Sequence, residues 1–314
     1  MAVTFQHIIA TGVAPDRLLG VNSAEGEAAT GIRVGDLKYV DTPMSLGGAK
    51  GNRFSIVVRG LSSEMENSIE TIRSTLETTL TNITRQGFVN YFGFQRVGLP
   101  TNSVRPHHIG EKIIAGKWED ALRLILAIQE GDSEDVAKAK QLYLESRDVI
   151  AALKLMPLSF PVVRQVLQGL KRYGSDAFEQ AVLSVPFSRR AMYMHAYQSY
   201  LFNRMASFRL RQYGPKVVKG DLIQSDAITD KSIAVKAVTA EEADKLNETR
   251  EDALSLVLLP LPGTSVMFPA NATKEACAEV RRSYRPLKKR NLKSILTKIV
   301  FVDAGTRRHE MCFA

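Results

Sequence analysis

The chain has 314 residues, enough for one large domain or two modest ones with an ample core. Hydrophobic residues make up 45% of it, as in an ordinary globular protein, and no apolar run reaches the roughly 20 residues that a membrane span needs. Lys and Arg outnumber Asp and Glu by 42 to 33, a formal charge of +9 that suits a polyanionic partner, while the two cysteines, Cys277 and Cys312, lack disulfide or metal-ligand spacing and point to a reducing compartment.

Val3 and Phe5 alternate with polar residues, so the chain opens in a predicted strand, and its first residues read as neither a secretory signal nor an Arg-rich transit peptide. Residues 21–30 are predicted to be a loop and Leu37–Val40 a short strand. Gly47-Gly48-Ala49-Lys50-Gly51 is glycine-rich and basic but lacks the spacing of a phosphate-binding P-loop. Arg53–Arg59 alternates as a half-buried strand, with Phe54, Ile56 and Val58 on one face and Arg53, Ser55, Val57 and Arg59 on the other. A helix follows: Ser63 and Glu66 form a capping box, Met65, Ile69, Ile72, Leu76, Leu80 and Ile83 repeat at helical spacing, and Gly87 stops it.

The next stretch, Gly87-Phe88-Val89-Asn90-Tyr91-Phe92-Gly93-Phe94-Gln95-Arg96-Val97-Gly98, sets glycines and aromatic rings around an amide and a guanidinium. Glycines in that pattern mark a backbone that bends sharply or lets a ligand come close, and exposed aromatics beside Arg suit the stacking of a nucleobase. A loop with packed aromatics is the simpler alternative.

Beyond Gly98 the texture becomes helical over 111–213. Ile113, Ile114, Trp118, Ala121, Leu122 and Ile125 predict one amphipathic helix; a second runs from Ser133 to Met156, a third from Pro161 to Tyr173, and a short one from Ser175 to Val185. The longest runs from Arg189 to Tyr213, with Met194, Tyr197, Leu201, Met205 and Phe208 as core positions. His107 and His108 are adjacent, cannot share a face and have no acidic partner at metal spacing; His195 reads as a satisfied packing residue. From Lys216 to Val266 the pattern is short strands and turns with one helical piece near Ala240–Leu246. Between Arg281 and Lys298 stand Arg281, Arg282, Arg285, Lys288, Lys289, Arg290, Lys293 and Lys298 with no acidic residue, the composition of a phosphate-contacting segment. Ile299–Val302 is a predicted strand, and Met311–Ala314 looks like another.

The stretch from Asn90 to Gly98 resembles the Asn-Tyr-Phe/Tyr-Gly-x-Gln-Arg-Phe-Gly motif of the TruD family of RNA pseudouridine synthases, with Val97 in place of the second Phe. Ile32–Gly35, Lys50–Phe54, Met192–Asn203 and Leu259–Gly263 resemble further blocks of that family in family order; His195–Ser199 and Leu259–Gly263 favour its eukaryotic branch.

The resemblance implies an α+β fold: a pseudouridine-synthase-like mixed-sheet core at 1–98 and 286–314, interrupted by a mostly helical insertion domain at 99–285. It implies isomerisation of uridine to pseudouridine in tRNA or other structured RNA, by a monomer that needs no cofactor and no metal, in the nucleus or cytoplasm with an organelle left open. Asn90 matches the family residue that orients the catalytic carboxylate and Phe92 the aromatic that packs beside the target base; these are the catalytic candidates. Arg53, Tyr91, Arg96, Arg285, Lys288, Lys289 and Arg290 are the RNA-binding candidates.

The family carboxylate comes from a Gly-x-Lys-Asp motif just ahead of Ala-Val-Thr, which this chain carries as Ala2-Val3-Thr4, so its counterpart is expected ahead of Met1. The family's closing segment is likewise expected after Ala314. The chain thus reads as a partial copy of a larger protein, trimmed at both ends and inactive alone. Asp36 and Asp41 are nearby acids without supporting spacing. The alternative is a catalytically inactive relative that binds RNA.

Overall fold

The computed structural model describes residues 3–44, 54–57, 59, 69–225, 235–262, 267–275, 296–298 and 300–301. Two compact units divide the chain, Met1–Glu66 and Asn67–Ala314.

The first unit is built from short local pieces. Pro15–Leu19 (α1) opens with proline in its first turn, a 3₁₀ turn spans Gly20–Asn22, and Ala24–Thr30 (α2) follows. The loop predicted over 21–30 is therefore helical: its run of Ala and Glu has enough helix propensity to outweigh one glycine. The Asn22 side-chain amide donates to the Val34 carbonyl and accepts from the Val34 N–H, both at 2.7 Å. The strands predicted at Val3–Phe5, Leu37–Val40 and Arg53–Arg59 do not form among the described residues of this unit, and Arg53 and Val58 lie outside those residues. A strand needs a neighbouring ladder for its backbone groups. Here Phe5, Tyr39, Phe54 and Ile56 stand 78–95% exposed instead.

The second unit holds the core. Ile69–Gln86 (α3) is the helix predicted to start at Ser63, a residue outside the described set. Phe88–Val89 (β1) and the single turn Phe94–Val97 (α4) follow. Then come Pro106–Ile114 (α5), Trp118–Ile125 (α6), Glu134–Ser146 (α7), Val149–Leu155 (α8), Pro161–Tyr173 (α9), Phe178–Leu183 (α10) and Phe187–Tyr213 (α11).

Two predicted helices are each broken in two. The one expected over Ile113–Ile125 ends at Gly116, whose φ of +71° lets the Lys117 N–H turn back to the Lys112 carbonyl at 2.9 Å. The one expected over Ser133–Met156 breaks at Arg147, with φ +58°, because the next residue caps a new helix. The Asp148 carboxylate accepts from the Ile150 and Ala151 N–H groups at 3.0 and 2.9 Å.

The helices close around Leu122, Tyr143, Leu167, Phe202 and Met205, all essentially inaccessible. α5 lies directly against α11: a Cβ added at Gly110 would stand 2.0 Å from the Tyr193 carbonyl oxygen, so only glycine permits the approach. Within the helical body Lys140 and Asp132 form a buried ion pair at 2.7 Å, and Lys140 also donates to the Ala127 carbonyl at 3.0 Å.

The β part is small and antiparallel. Leu222–Gln224 (β2), Val235–Ala237 (β3), the helix Ala240–Thr249 (α12) and Leu258–Pro260 (β4) come in turn, then Leu296–Lys298 (β5) and Val300–Phe301 (β6). One sheet has the order β3-β2-β4-β5, with Leu222 opposite Leu258 and Leu258 opposite Lys298. A separate ribbon pairs β1 with β6, Phe88 opposite Phe301 and Val89 opposite Val300. The class is α+β, as predicted. Among the described residues no helix is long and apolar enough to cross a membrane.

Candidate functional site

β1 ends at Val89 and the chain turns at once. The Tyr91 N–H donates to the Val89 carbonyl at 2.9 Å, a three-residue turn with Asn90 half-buried at its apex. Gly93 caps α4 in extended backbone, φ −78° and ψ 178°, and leaves open space where a side chain would stand. Gly98 ends α4 with φ +91°, and a Cβ there would stand 2.7 Å from Cδ of Pro106. The expectation of a sharply bent backbone thus holds at Gly98, where both conformation and space require glycine.

The turn is held by α11. The Asn203 side chain accepts from the Phe92 N–H at 2.9 Å and donates to the Phe92 carbonyl at 2.9 Å. One helical turn on, the Ser207 hydroxyl and the Tyr91 phenol are hydrogen-bonded at 2.8 Å. The half-buried Phe92 ring meets the buried Phe202 ring edge-on, centroids 5.4 Å apart at 83°. Tyr91 and Phe94 keep 45% and 59% of their surface, and Arg96 is exposed.

Behind the turn lies His107. Its ring stacks on Tyr200, centroids 4.2 Å apart and 12° from parallel. Its Nδ1 donates to the Val97 carbonyl at 2.9 Å. Burial holds the His107 pKa below its ordinary value, with His108 and Arg105 pushing the same way. The rings of His107 and His108 are 4.3 Å apart. Even so, among the described residues no group of three or more His, Cys, Asp or Glu could hold a metal ion.

A cavity of about 560 Å³ opens along α11 and is lined by Tyr200, Asn203, Arg204, Ser207, Phe208, Arg211 and Glu275. Asn203 and Ser207 therefore face both the cavity and the turn. Among the described residues of the lining, two guanidiniums stand against one carboxylate, and Tyr200 and Phe208 add rings, a combination that suits a nucleotide chain.

Of the residues singled out from sequence, Asn90, Tyr91, Phe92 and Arg96 come together in this turn. Arg53, Arg285, Lys288, Lys289 and Arg290 lie outside the described residues. His195 is satisfied, its Nδ1 2.9 Å from Oε1 of Gln198, whose Nε2 donates to the Pro262 carbonyl at 2.6 Å. That bond joins the His195–Ser199 block to the Leu259–Gly263 block. Sequence reasoning missed the roles of Asn203, Ser207 and His107. One signal was available: an asparagine inside a long helix is a poor helix former and needs a reason to be there.

A sequence model of the family described as tRNA pseudouridine synthase D (TruD) matches residues 1–311. The chain belongs to the TruD family. Among curated relatives, the mouse Pseudouridylate synthase 7 homolog is 32% identical over 280 residues, which cover 89% of this chain and 38% of that protein. The mouse Pseudouridylate synthase PUS7L is 36% identical over 275 residues, 86% of this chain and 38% of that protein. The Multisubstrate pseudouridine synthase 7 of Schizosaccharomyces pombe is 32% identical over 289 residues, with 86% and 41% covered. The chain thus spans about two fifths of the length of these TruD-family relatives. A crystal structure described as a putative tRNA pseudouridine synthase D (TruD) from Methanosarcina mazei matches with a TM-score of 0.60 at 23% identity, covering 76% of this chain and 57% of that one. That match shows a shared fold.

Proposed function

We propose that this TruD-family chain serves an RNA pseudouridine synthase that isomerises uridine in tRNA or another structured RNA. The observation that carries the reading is the Asn90–Phe92 turn. It presents an aromatic ring, backed by Phe202 and fixed by Asn203, beside the cavity along α11. Breaking a glycosidic bond and rejoining the base through carbon requires the uridine to leave its stack, so a ring must receive it. Phe92 is assigned that contact. Asn90 is assigned to orient the carboxylate that acts at the sugar. Tyr91 and Arg96 flank the base, and Arg53, Arg285, Lys288, Lys289 and Arg290 hold phosphates. We further assign 1–98 and 286–314 to the catalytic core and 99–285 to the insertion; the pairing of Phe88 with Phe301 supports that division, and the pairing of Leu258–Pro260 with Leu296–Lys298 joins the two parts.

The test is pseudouridine mapping in cells lacking the gene, complemented with the wild type, Asn90→Ala or Phe92→Ala. Particular uridines lose modification on deletion and regain it with the wild type. Asn90→Ala leaves them unmodified while the protein still crosslinks to the same RNA. Phe92→Ala weakens binding as well, by about the 1–3 kcal/mol of a base–aromatic stack. A deletion that changes no pseudouridine while the protein still crosslinks to RNA overturns the enzymatic reading in favour of a binding protein.

A further inference from the structure

We infer that Asn203 is the positioning residue for Phe92, so that the long helix α11 sets where the base-receiving ring stands. The inference rests on the assignment of Phe92 just made and adds a residue to it.

Asn203 uses both ends of its amide on one distant residue, accepting from the Phe92 N–H and donating to the Phe92 carbonyl, each at 2.9 Å. Two antiparallel hydrogen bonds to one peptide-bearing residue fix its Cα in place and in orientation, as a neighbouring strand would. The side chain then has only its two torsions left, and Phe202 stands against the ring edge. Ser207 fixes the preceding residue through the Tyr91 phenol at 2.8 Å, so two consecutive residues of the motif are tied to one face of one helix. Beyond Phe92, Gly93 is exposed with nothing near its missing side chain, and α4 is a single turn.

The same device appears elsewhere with a different meaning. Asn247 on α12 accepts from the Val217 N–H at 2.9 Å and donates to the Val217 carbonyl at 2.8 Å. Val217 is buried, so that clamp serves packing. Asn203 itself lines an open cavity, and the residue it clamps is only half-buried. The two clamps therefore make a matched pair, one as the control for the other.

The experiment is a double-mutant cycle on the full-length protein with Asn203→Ala, Phe92→Ala and the double variant, and with Asn247→Ala as the control. It is read in the single-turnover rate on an unmodified transcript of the RNA identified by mapping, and separately in affinity for bulk unmodified tRNA. Loss of two hydrogen bonds that place a reacting partner is expected to slow single turnover by roughly 30-fold while affinity falls less than about threefold. In the Phe92→Ala background the same change is expected to cost almost nothing further, because the residue it positions is gone. Asn203→Asp keeps the acceptor and loses the donor, and is expected to fall between wild type and Ala. Asn247→Ala lowers the melting temperature and leaves the rate unchanged.

Additive losses for Asn203 and Phe92 overturn the inference and make Asn203 a packing residue like Asn247. A rate indifferent to Phe92→Ala overturns the assignment of Phe92 instead. If the wild type binds tRNA without turnover, the functional reading fails, and the affinity cycle still decides the clamp by the same additivity criterion.

Discussion

The helix α11 handles polar side chains in two opposite ways on two sides. Arg209 is wholly buried. Its Nη2 pairs with Asp221 at 2.5 Å, its Nη1 donates to the Gly214 carbonyl at 2.8 Å, and Nη2 also reaches the Lys216 carbonyl. Asp221 in turn accepts from the Val218 N–H and from Asn271, both at 3.0 Å. Asn203, six residues earlier and about 120° around the helix, reaches a backbone 111 residues away and borders an open cavity. The Arg209 side closes the helix on its own C-terminal neighbours, where the guanidinium and the Asp221 carboxylate are answered by the protein. The Asn203 side holds a loop in place and leaves room for something else. The difference separates residues that make the fold from residues that make the site, although both are polar and both sit on α11.

The largest effect is expected from the closed side. Arg209→Ala leaves Asp221 buried without its cation, a loss of about 3–5 kcal/mol. It is measured as a fall in the denaturant midpoint at unchanged m-value, with RNA affinity of the folded fraction unaltered. An affinity loss without a stability loss would erase the contrast between the two sides.

Next comes the contact between α5 and α11. Gly110→Ala drives a methyl group into the Tyr193 carbonyl, and backbone cannot move aside as a flexible side chain can. The expected cost is about 1–3 kcal/mol. Because α5 carries His107, which braces Val97, this substitution is also expected to loosen the turn, seen as faster amide exchange at Phe94–Val97.

α9, α11 and α12 were legible in the sequence because proline, glycine and capping residues stand at their ends and their apolar positions repeat at 3.6 residues. Breaks at Gly116 and Arg147 were not, because an amphipathic stripe continues across a break that only a positive φ reveals. The strands predicted around Tyr39 and Phe54 do not form among the described residues for the complementary reason: alternation says which face wants burial and says nothing about whether a partner strand is there. At the site, the Asn90–Phe92 motif was visible as unusual chemistry in a short stretch. Asn203 was hidden inside a helical block, since its partner lies 111 residues away and no local pattern encodes a contact of that range.

A smaller effect is expected from charge alone. Replacing Lys288, Lys289 and Arg290 by Ala removes three cations from a run with no acidic residue. The slope of log affinity against log salt should flatten by up to about 2–3, and affinity at moderate salt should fall on the order of tenfold. Arg209→Ala should leave that slope alone. A triple variant with the wild-type slope would place the phosphate contacts elsewhere, with Arg204 and Arg211 of the cavity next in line.

The smallest effect concerns His107, on the Asn203 side, stacked on the cavity residue Tyr200 and bonded to the Val97 carbonyl behind the turn. Burial lowers its pKa from 6.5, Arg105 and His108 lower it further, and the Val97 bond and Glu111 oppose them. The unfolded chain therefore takes up a proton at His107 as pH falls through about 6.5, while the folded protein resists until a lower pH. Below 6.5 the unfolded state binds more protons, so folding stability rises with pH there. The contribution of His107 is complete above about pH 7 and declines as pH drops toward its folded pKa. His108 is shifted in the same direction, also by burial first, so wild-type stability carries both slopes. His107→Gln keeps a donor near the Val97 carbonyl and removes the titration. Its unfolding free energy is expected to vary less with pH between about 5 and 7 than that of the wild type, with the His108 share remaining. The measurement is chemical denaturation across that range for both proteins. An equal slope in the variant would mean that His107 is as easily protonated folded as unfolded, and that the packing around Tyr200 opens to water on the cavity side.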